Sequence, residues 1–112
     1  MKLVWSSKFT RSAKKISRRK PGLLGALEAA LKQLENEPHR PGLRTHKLSG
    51  DFEGCWACSA GYDLRVVFEF VQAKKGAEME IHLLNVGTHD EVYLRVGSLK
   101  HIAQPRRREV GP

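Results

Sequence analysis

Residues 55–86 read CWACSAGYDLRVVFEFVQAKKGAEMEIHLLNV, and this stretch decides the fold. Leu64 to Val71 and Met79 to Val86 are dense in Val, Ile, Leu and Phe, with Lys74-Lys75-Gly76 between them. β-Branched and aromatic runs interrupted by a glycine turn specify a strand hairpin. Cys55 to Ser59 is a shorter run of the same kind, set off by Ala60-Gly61, so three consecutive strands are expected. In the middle strand Val66, Phe68 and Phe70 alternate with Arg65, Val67 and Glu69. Alternation at period two makes one face continuously apolar, which must be covered, and leaves Arg65 on the other face.

The cover lies upstream. Lys2 to Trp5 is a short, partly apolar strand, and Ser6-Ser7 supplies a helix N-cap. A first helix follows over Ser7 to Arg19 until Lys20-Pro21-Gly22 breaks it. Leu23, Leu27, Ala30, Leu31 and Leu34 then recur at helical spacing, and Pro38-His39-Arg40-Pro41-Gly42 ends the second helix. The break is too short for a crossover, so the two helices should form an antiparallel hairpin with its leucine face on the sheet. The expected architecture is α+β, in the order β-α-α-β-β-β, with the hairpin packed on a mostly antiparallel twisted sheet. Asp90 to Val96 reads either as a further short strand or as a turn. Residues 1–96 make one domain, and residues 97–112 a basic tail.

The chain has 112 residues, with 20 Lys+Arg against 12 Asp+Glu and a formal charge of +8. A length of this order supports one core and excludes large multi-domain enzymes. The positive excess is concentrated at the N-terminus, where residues 1–20 contain eight basic side chains and no acid. On a helix Lys8, Arg11, Lys15 and Arg18 fall on one side, with Phe9, Ala13 and Ile16 roughly opposite. Such a stripe is the footprint of a phosphate-backbone binder, although an ordinary solvated helix face has the same pattern. No run is long and apolar enough for a membrane span, and Met1 to Phe9 lacks the apolar centre of a signal peptide. A cytoplasmic protein with no membrane partner, its Cys55 and Cys58 reduced, is the expectation.

Cys55-Trp56-Ala57-Cys58 has the spacing of half a zinc site or a redox pair. On a strand, however, side chains three apart point to opposite faces, so structural cysteines and no metal are expected. Of the five histidines, His39 and His101 read as exposed bystanders, and His82 as a strand residue that either packs across the strands or faces the site. His46 precedes Lys47-Leu48-Ser49-Gly50, and His89 lies in Val86-Gly87-Thr88-His89-Asp90, which reads as a strand end with a tight glycine turn. Asp63 begins the neighbouring strand and Arg65 lies on its open face, so Asp63, Arg65 and His89 can converge at one rim.

A set of this kind suits RNA cleavage by attack of a ribose 2'-OH on the adjacent phosphate. That reaction needs a base, donors for the phosphorane charge and an acid for the leaving 5'-oxygen, and it requires neither metal nor cofactor. His89 or His46 can be acid or base near neutral pH. Asp63 can be a base or orient a histidine, Arg65 can clamp phosphate, and Tyr93 offers a ring for base stacking and a phenol.

Lys47-Leu48-Ser49-Gly50, Gly61-Tyr62-Asp63-Leu64-Arg65-Val66-Val67-Phe68 and Val86-Gly87-Thr88-His89-Asp90-Glu91-Val92-Tyr93 together resemble the RelE/ParE superfamily of toxins from toxin-antitoxin systems, closest to its YafQ-like branch. The likeness covers about residues 2 to 95, and its most specific piece is Gly87-Thr88-His89 followed by Tyr93. It implies a RelE-like fold and a ribosome-dependent mRNA endonuclease. Such a toxin enters the decoding site of the 70S ribosome, cuts translated message and is held inactive by a cognate antitoxin with an acidic segment. His46, Asp63, His89 and Tyr93 match the branch's active-site histidine, carboxylate, principal histidine and terminal aromatic; Arg65 matches the arginine that RelE proper places on the phosphate. Ser59 stands where the branch has a further histidine, Leu64 replaces an aromatic, and the Cys55-to-Ser59 strand lacks the lysines of RelE proper. Lys8, Arg11, Lys15, Arg18, Lys47 and Arg95 are the expected RNA-binding cations. Two other readings are a non-enzymatic ParE-like toxin that poisons DNA gyrase, and a plain basic nucleic-acid-binding module.

Overall fold

The computed structural model describes residues 1–61 and 63–94; Arg95, His101 and the expected tail at 97–112 lie outside the described residues. Strand β1 (Lys2–Trp5) leads into helix α1 (Ser7–Arg19). The Ser6 hydroxyl accepts the Phe9 N–H at 3.0 Å, which satisfies one of the donors a helix start leaves unpaired. A 3₁₀ turn over Pro21–Leu23, begun by the proline, turns the chain into α2 (Leu24–Asn36). Then come β2 (His46–Lys47), β3 (Trp56–Ala60), β4 (Leu64–Gln72), β5 (Met79–Thr88) and a π-helical turn over Asp90–Leu94.

The strands form one sheet in the order β1-β5-β4-β3-β2, antiparallel except for the parallel β1–β5 pair. Both helices cover one face, α1 over β5 and α2 over β3. Phe9, Ala13 and Ile16 from α1, and Leu27, Ala30, Leu31 and Leu34 from α2, share a buried core with Cys58, Leu64, Val66, Phe68, Ile81 and Leu83. Truncating one of the largest of these, Phe9 or Phe68, would cost about 3–5 kcal/mol. The opposite face holds a smaller cluster of Cys55, Val67, Leu84 and Val92, sheltered by Leu48, Phe52 and Tyr93. The two cysteines thus belong to different cores, as alternation on a strand requires. Among the described residues no helix is long and apolar enough to cross a membrane.

The architecture follows the expected α+β order, with three differences. A fifth strand, β2, is present; at two residues it is too short to leave a periodic signal and exists by pairing His46 with Ala57 and Lys47 with Trp56. Second, β5 runs through Gly87 and Thr88, so Gly87 is a strand residue and makes no turn. Its missing side chain is occupied instead, since a Cβ there would lie 2.9 Å from Glu91 Oε1 and 3.1 Å from Glu91 Cβ. Third, of the alternatives for the last segment, Asp90–Leu94 forms a helical turn. A bulge adds to this: Val67 pairs with Asn85 but Phe68 pairs with Leu83, leaving Leu84 as the extra residue. Bulges bend a strand and re-aim the residues beyond them, here the end of β5 that carries His89.

Candidate active site

The site lies on the sheet face that the helices leave open. Arg65 is in register with Ser59 on β3 and Gly87 on β5, and Leu64 with Thr88. Asp63, just before β4, and His89, just after β5, therefore extend neighbouring strands at the same end of the sheet. His89 is 60% exposed, with Nδ1 at 3.7 Å from Asp90 Oδ1, beyond hydrogen-bond length. Its ring meets Tyr93 edge-on at 4.7 Å, and Tyr93 in turn meets Phe52 at 5.8 Å. Burial pushes the Tyr93 phenol above its usual range, with the Arg65 guanidinium opposing that shift. Tyr93 is thus a protonated hydrogen-bond donor at neutral pH and unsuited to be a base.

Arg65 Nη1 donates to the Leu64 carbonyl at 3.0 Å. Arg65 borders an open cavity of about 490 Å³, lined also by Gly42, Arg44, Ser59, Gly61 and Asp63. His46 is exposed on the edge strand, its Nδ1 2.8 Å from the Arg44 carbonyl. A carbonyl only accepts, so Nδ1 carries the hydrogen and Nε2 keeps its lone pair in the neutral ring. His46 is level with Val67 through Ala57, two strands from Arg65's strand and three from that of His89. At ~4.8 Å per strand step and ~3.3 Å per residue, His46 and His89 are ~14 Å apart across the strands and ~13 Å along them, so ~19 Å in all. They flank Arg65 from opposite sides, whereas Asp63 and His89 are neighbours.

The turn that carries His89 and Tyr93 is fastened at its root. Glu91 Oε1 accepts the Thr88 N–H at 2.8 Å, and Thr88 Oγ1 accepts the Glu91 N–H at 3.3 Å. This reciprocal pair is a capping box, legible in the sequence as Thr88 followed three residues later by glutamate. The Thr88 N–H holds the Glu91 carboxyl below its ordinary range, aided by the Thr88 hydroxyl and by Lys15 and Lys20 against a smaller effect of burial.

The structure separates the expected RNA-binding cations. Lys8 and Lys15 line a cleft of about 100 Å³ between α1 and the end of β5, together with Arg19 and Lys20, which the helical projection does not single out. Arg11 and Arg18 are exposed elsewhere on α1. The cleft wall includes Asn85, whose Oδ1 accepts both Ser12 Oγ–H and the Val86 N–H at 2.9 Å. Lys47 is in register with Trp56 and Phe68, the helix side of the sheet, and its Nζ lies 5.6 Å from the Trp56 ring centre. It therefore points away from Arg65. His82 is engaged by Glu80 at 2.9 Å, and His39, though exposed, packs its ring against Trp56 and Phe70. Burial raises the Cys58 thiol to about 12, which rules it out as a thiolate nucleophile at neutral pH.

A basic helix beside an open face that presents Asp63, Arg65, His89 and Tyr93 is suited to holding and cleaving a phosphodiester. Comparison with known proteins bears on this at the level of family and fold. A comparison with curated proteins gives no match. Among solved structures, the YoeB/ParE toxin from Agrobacterium tumefaciens aligns over 80% of this chain and 99% of its own, with a TM-score of 0.65 and 18% identity. YafQ from E. coli strain BL21(DE3) aligns over 81% and 96%, with a TM-score of 0.65 and 16% identity. The E. coli DinJ-YafQ complex gives 81% and 96%, a TM-score of 0.60 and 15% identity. At these identities the structures establish the shared fold. The family is established by the model for YafQ, the bacterial toxin of a type II toxin-antitoxin system, which matches residues 1–94. This chain belongs to that YafQ toxin family, within the RelE/ParE superfamily.

Proposed function

We propose that the chain is a ribosome-dependent endoribonuclease that arrests translation by cutting mRNA in the decoding site, and that a cognate antitoxin restrains it in the cytoplasm. The observation that carries this reading is that Asp63, just before β4, and His89 with Tyr93, on the turn after the neighbouring strand, stand together at the end of the sheet where Arg65 opens onto the cavity. In the reaction a base takes the 2'-OH proton, and the oxygen attacks the adjacent phosphorus. Arg65 stabilises the pentacoordinate charge. The 5'-oxygen then leaves with a proton from the acid, giving a 2',3'-cyclic phosphate and a 5'-OH. His89 is one of the two proton-transfer groups. Asp63, its neighbour, is favoured over His46 as the counterpart, because His46 stands on the far flank with its Nε2 available to the substrate strand. Tyr93 donates a hydrogen bond or stacks on a base. The cations of α1 hold ribosomal RNA, and Lys15, Arg19 and Lys20 extend that surface beside the site.

Solved relatives include toxins bound to partners, DinJ with YafQ from E. coli and YefM with YoeB from Staphylococcus aureus. An acidic antitoxin segment suits the cationic cleft by charge. The decisive experiment is primer extension on a reporter mRNA in reconstituted translation, with and without ribosomes. Cuts confined to translated message are expected. Intact message under both conditions would defeat the nuclease reading and return attention to a gyrase-directed toxin.

A further inference from the structure

Arg44 stands in a backbone conformation that its side chain disfavours. Its φ of 53° and ψ of 42° are left-handed, a region where a Cβ costs about 1–2 kcal/mol and which glycine enters readily. Gly42 stands two residues earlier, inside the 3₁₀ turn Pro41–Leu43 that Arg44 ends, with ordinary geometry. The conformation is imposed from both sides: Leu43 is fully buried, and the Arg44 N–H donates to the Pro41 carbonyl at 3.1 Å. Strain of this kind persists where the surroundings over-determine it, and it concentrates at functional positions.

Two consequences are visible. The Arg44 carbonyl is turned to accept His46 Nδ1–H at 2.8 Å. Arg44 also lines the cavity that Ser59 borders from β3, Arg65 from β4 and Asp63 from just before it. A cavity of about 490 Å³ lies within the ~300–1,000 Å³ range of small-molecule sites. Its charge is two guanidiniums against one carboxylate, and β3 itself contributes no cation, since it reads Trp-Ala-Cys-Ser-Ala.

We propose that Arg44 is a second phosphate-binding residue of the active site, gripping the RNA backbone together with Arg65 from the opposite wall of this cavity. The assignment rests on the nuclease reading for the identity of the anion. Its physical content is that one single-stranded phosphodiester contact passes through the Pro41–Leu43 turn, which supplies the cation that β3 lacks. Arginine suits the position because its planar fork can take two phosphate oxygens at once.

The test uses the full chain and a single-stranded trideoxynucleotide, which keeps the phosphodiester backbone but has no 2'-OH and cannot be cleaved by 2'-OH attack. Binding is measured by NMR titration at several salt concentrations. Arg44→Ala is expected to weaken binding ~10-fold and to flatten the slope of log K against log salt by about 0.7, the loss of one single-strand phosphate contact. Arg44→Lys should keep the slope, losing affinity only through the fork. Arg44→Gly should bind as poorly as Arg44→Ala yet melt higher than it, because glycine relieves the left-handed strain; that separates a binding role from a folding one. An unchanged slope in Arg44→Ala, alongside a reduced slope in Arg65→Ala, would overturn the proposal, as would a wild-type chain that does not bind the trinucleotide. A wild-type chain that binds with the expected Arg44 dependence but never cuts translated message would refute the nuclease reading and leave the anion site standing.

Discussion

Replacing Gly87 by alanine should destabilise the chain, and replacing Glu91 as well should add almost nothing. Gly87 is buried in β5 directly beneath Glu91, and the new Cβ would lie 2.9 Å from Glu91 Oε1 and 3.1 Å from Glu91 Cβ. The carboxylate is the mobile end and must move, which breaks its bond to the Thr88 N–H at a cost of about 1 kcal/mol. The tight Cβ contact adds about 1 kcal/mol of overpacking, and the stiffer unfolded chain returns about 0.5 kcal/mol. The net loss for Gly87→Ala is then about 1.5 kcal/mol by these increments. Glu91→Ala alone removes the same hydrogen bond and should cost about 1 kcal/mol. In the double variant the bond is lost only once, so the total should stay near 1.5 kcal/mol, a coupling of about 1 kcal/mol against the ~0.3–0.5 kcal/mol scatter of independent sites. Urea denaturation of the four chains measures it directly. Strict additivity, or a Gly87→Ala chain as stable as the parent, would refute the claim that this glycine is required for packing.

His89→Ala should lower cleavage of translated mRNA by ~10²–10⁴-fold while shifting the melting temperature little, because the ring is 60% exposed; full activity in that variant would remove His89 from the chemistry. Glu91 makes stability depend on acid. Its carboxyl is held below the ordinary range by the Thr88 N–H first, so its contribution is present above the unfolded value near ~4.3 and fades as pH falls through the lower folded one. Urea midpoints of the parent and Glu91→Gln should therefore differ at neutral pH and converge in acid, and a constant difference would contradict the assignment. Cys58, its thiol raised to about 12 by burial, should resist iodoacetamide at pH 8 until denaturant is added. Mass spectrometry showing ready alkylation of the folded chain would place that strand closer to solvent than its packing implies.

The sequence reveals what repeats and hides what depends on pairing. Helix α1 is readable to the residue from Ser6, the apolar spacing of Phe9, Ala13 and Ile16, and the Lys20-Pro21-Gly22 break. The alternation of Val66, Phe68 and Phe70 correctly places the helices on one face and Arg65 on the other. Strand β2 is invisible because two residues carry no period; its existence depends on Trp56 and Ala57 being there to pair with. Gly87 misleads for a related reason: glycine before Thr-His suggests a turn, but the demand on it comes from Glu91, four residues later, folding back over the strand. Of the proposed site residues, Asp63, Arg65, His89 and Tyr93 are suggested by the sequence, whereas Arg44 is not, since its proposed role depends on a left-handed backbone angle that no pattern announces. Lys47 shows the converse limit. Its position beside His46 suggests the RNA face, and alternation on β2 turns it to Trp56.

The exposure of the proposed catalytic groups has its own consequence for mechanism. Asp63 and His89 are both solvent-exposed, and the cavity beside Arg65 is open. A guanidinium 4 Å from a developing phosphorane charge contributes about 1 kcal/mol where bulk water fills the space between them and about 4 kcal/mol once water is displaced and the effective protein dielectric of ~20 applies. The difference of about 3 kcal/mol corresponds to ~10²-fold in rate, and the free chain, with its site in water, forgoes it. An RNA-protein surface closing over the open face would supply it, excluding water from Arg65 and fixing the strand against Asp63 and His89. On the proposed reading, ribosome dependence is then a property of the site's geometry: the chain provides one wall of an active site and its target provides the other. The expected result is that purified chain cuts naked RNA at the same dinucleotides at least ~10²-fold more slowly than translated message, with the gap narrowing for Arg65→Ala because that variant has less charge stabilisation to gain. Equal rates on naked and translated RNA would refute this account of the open face.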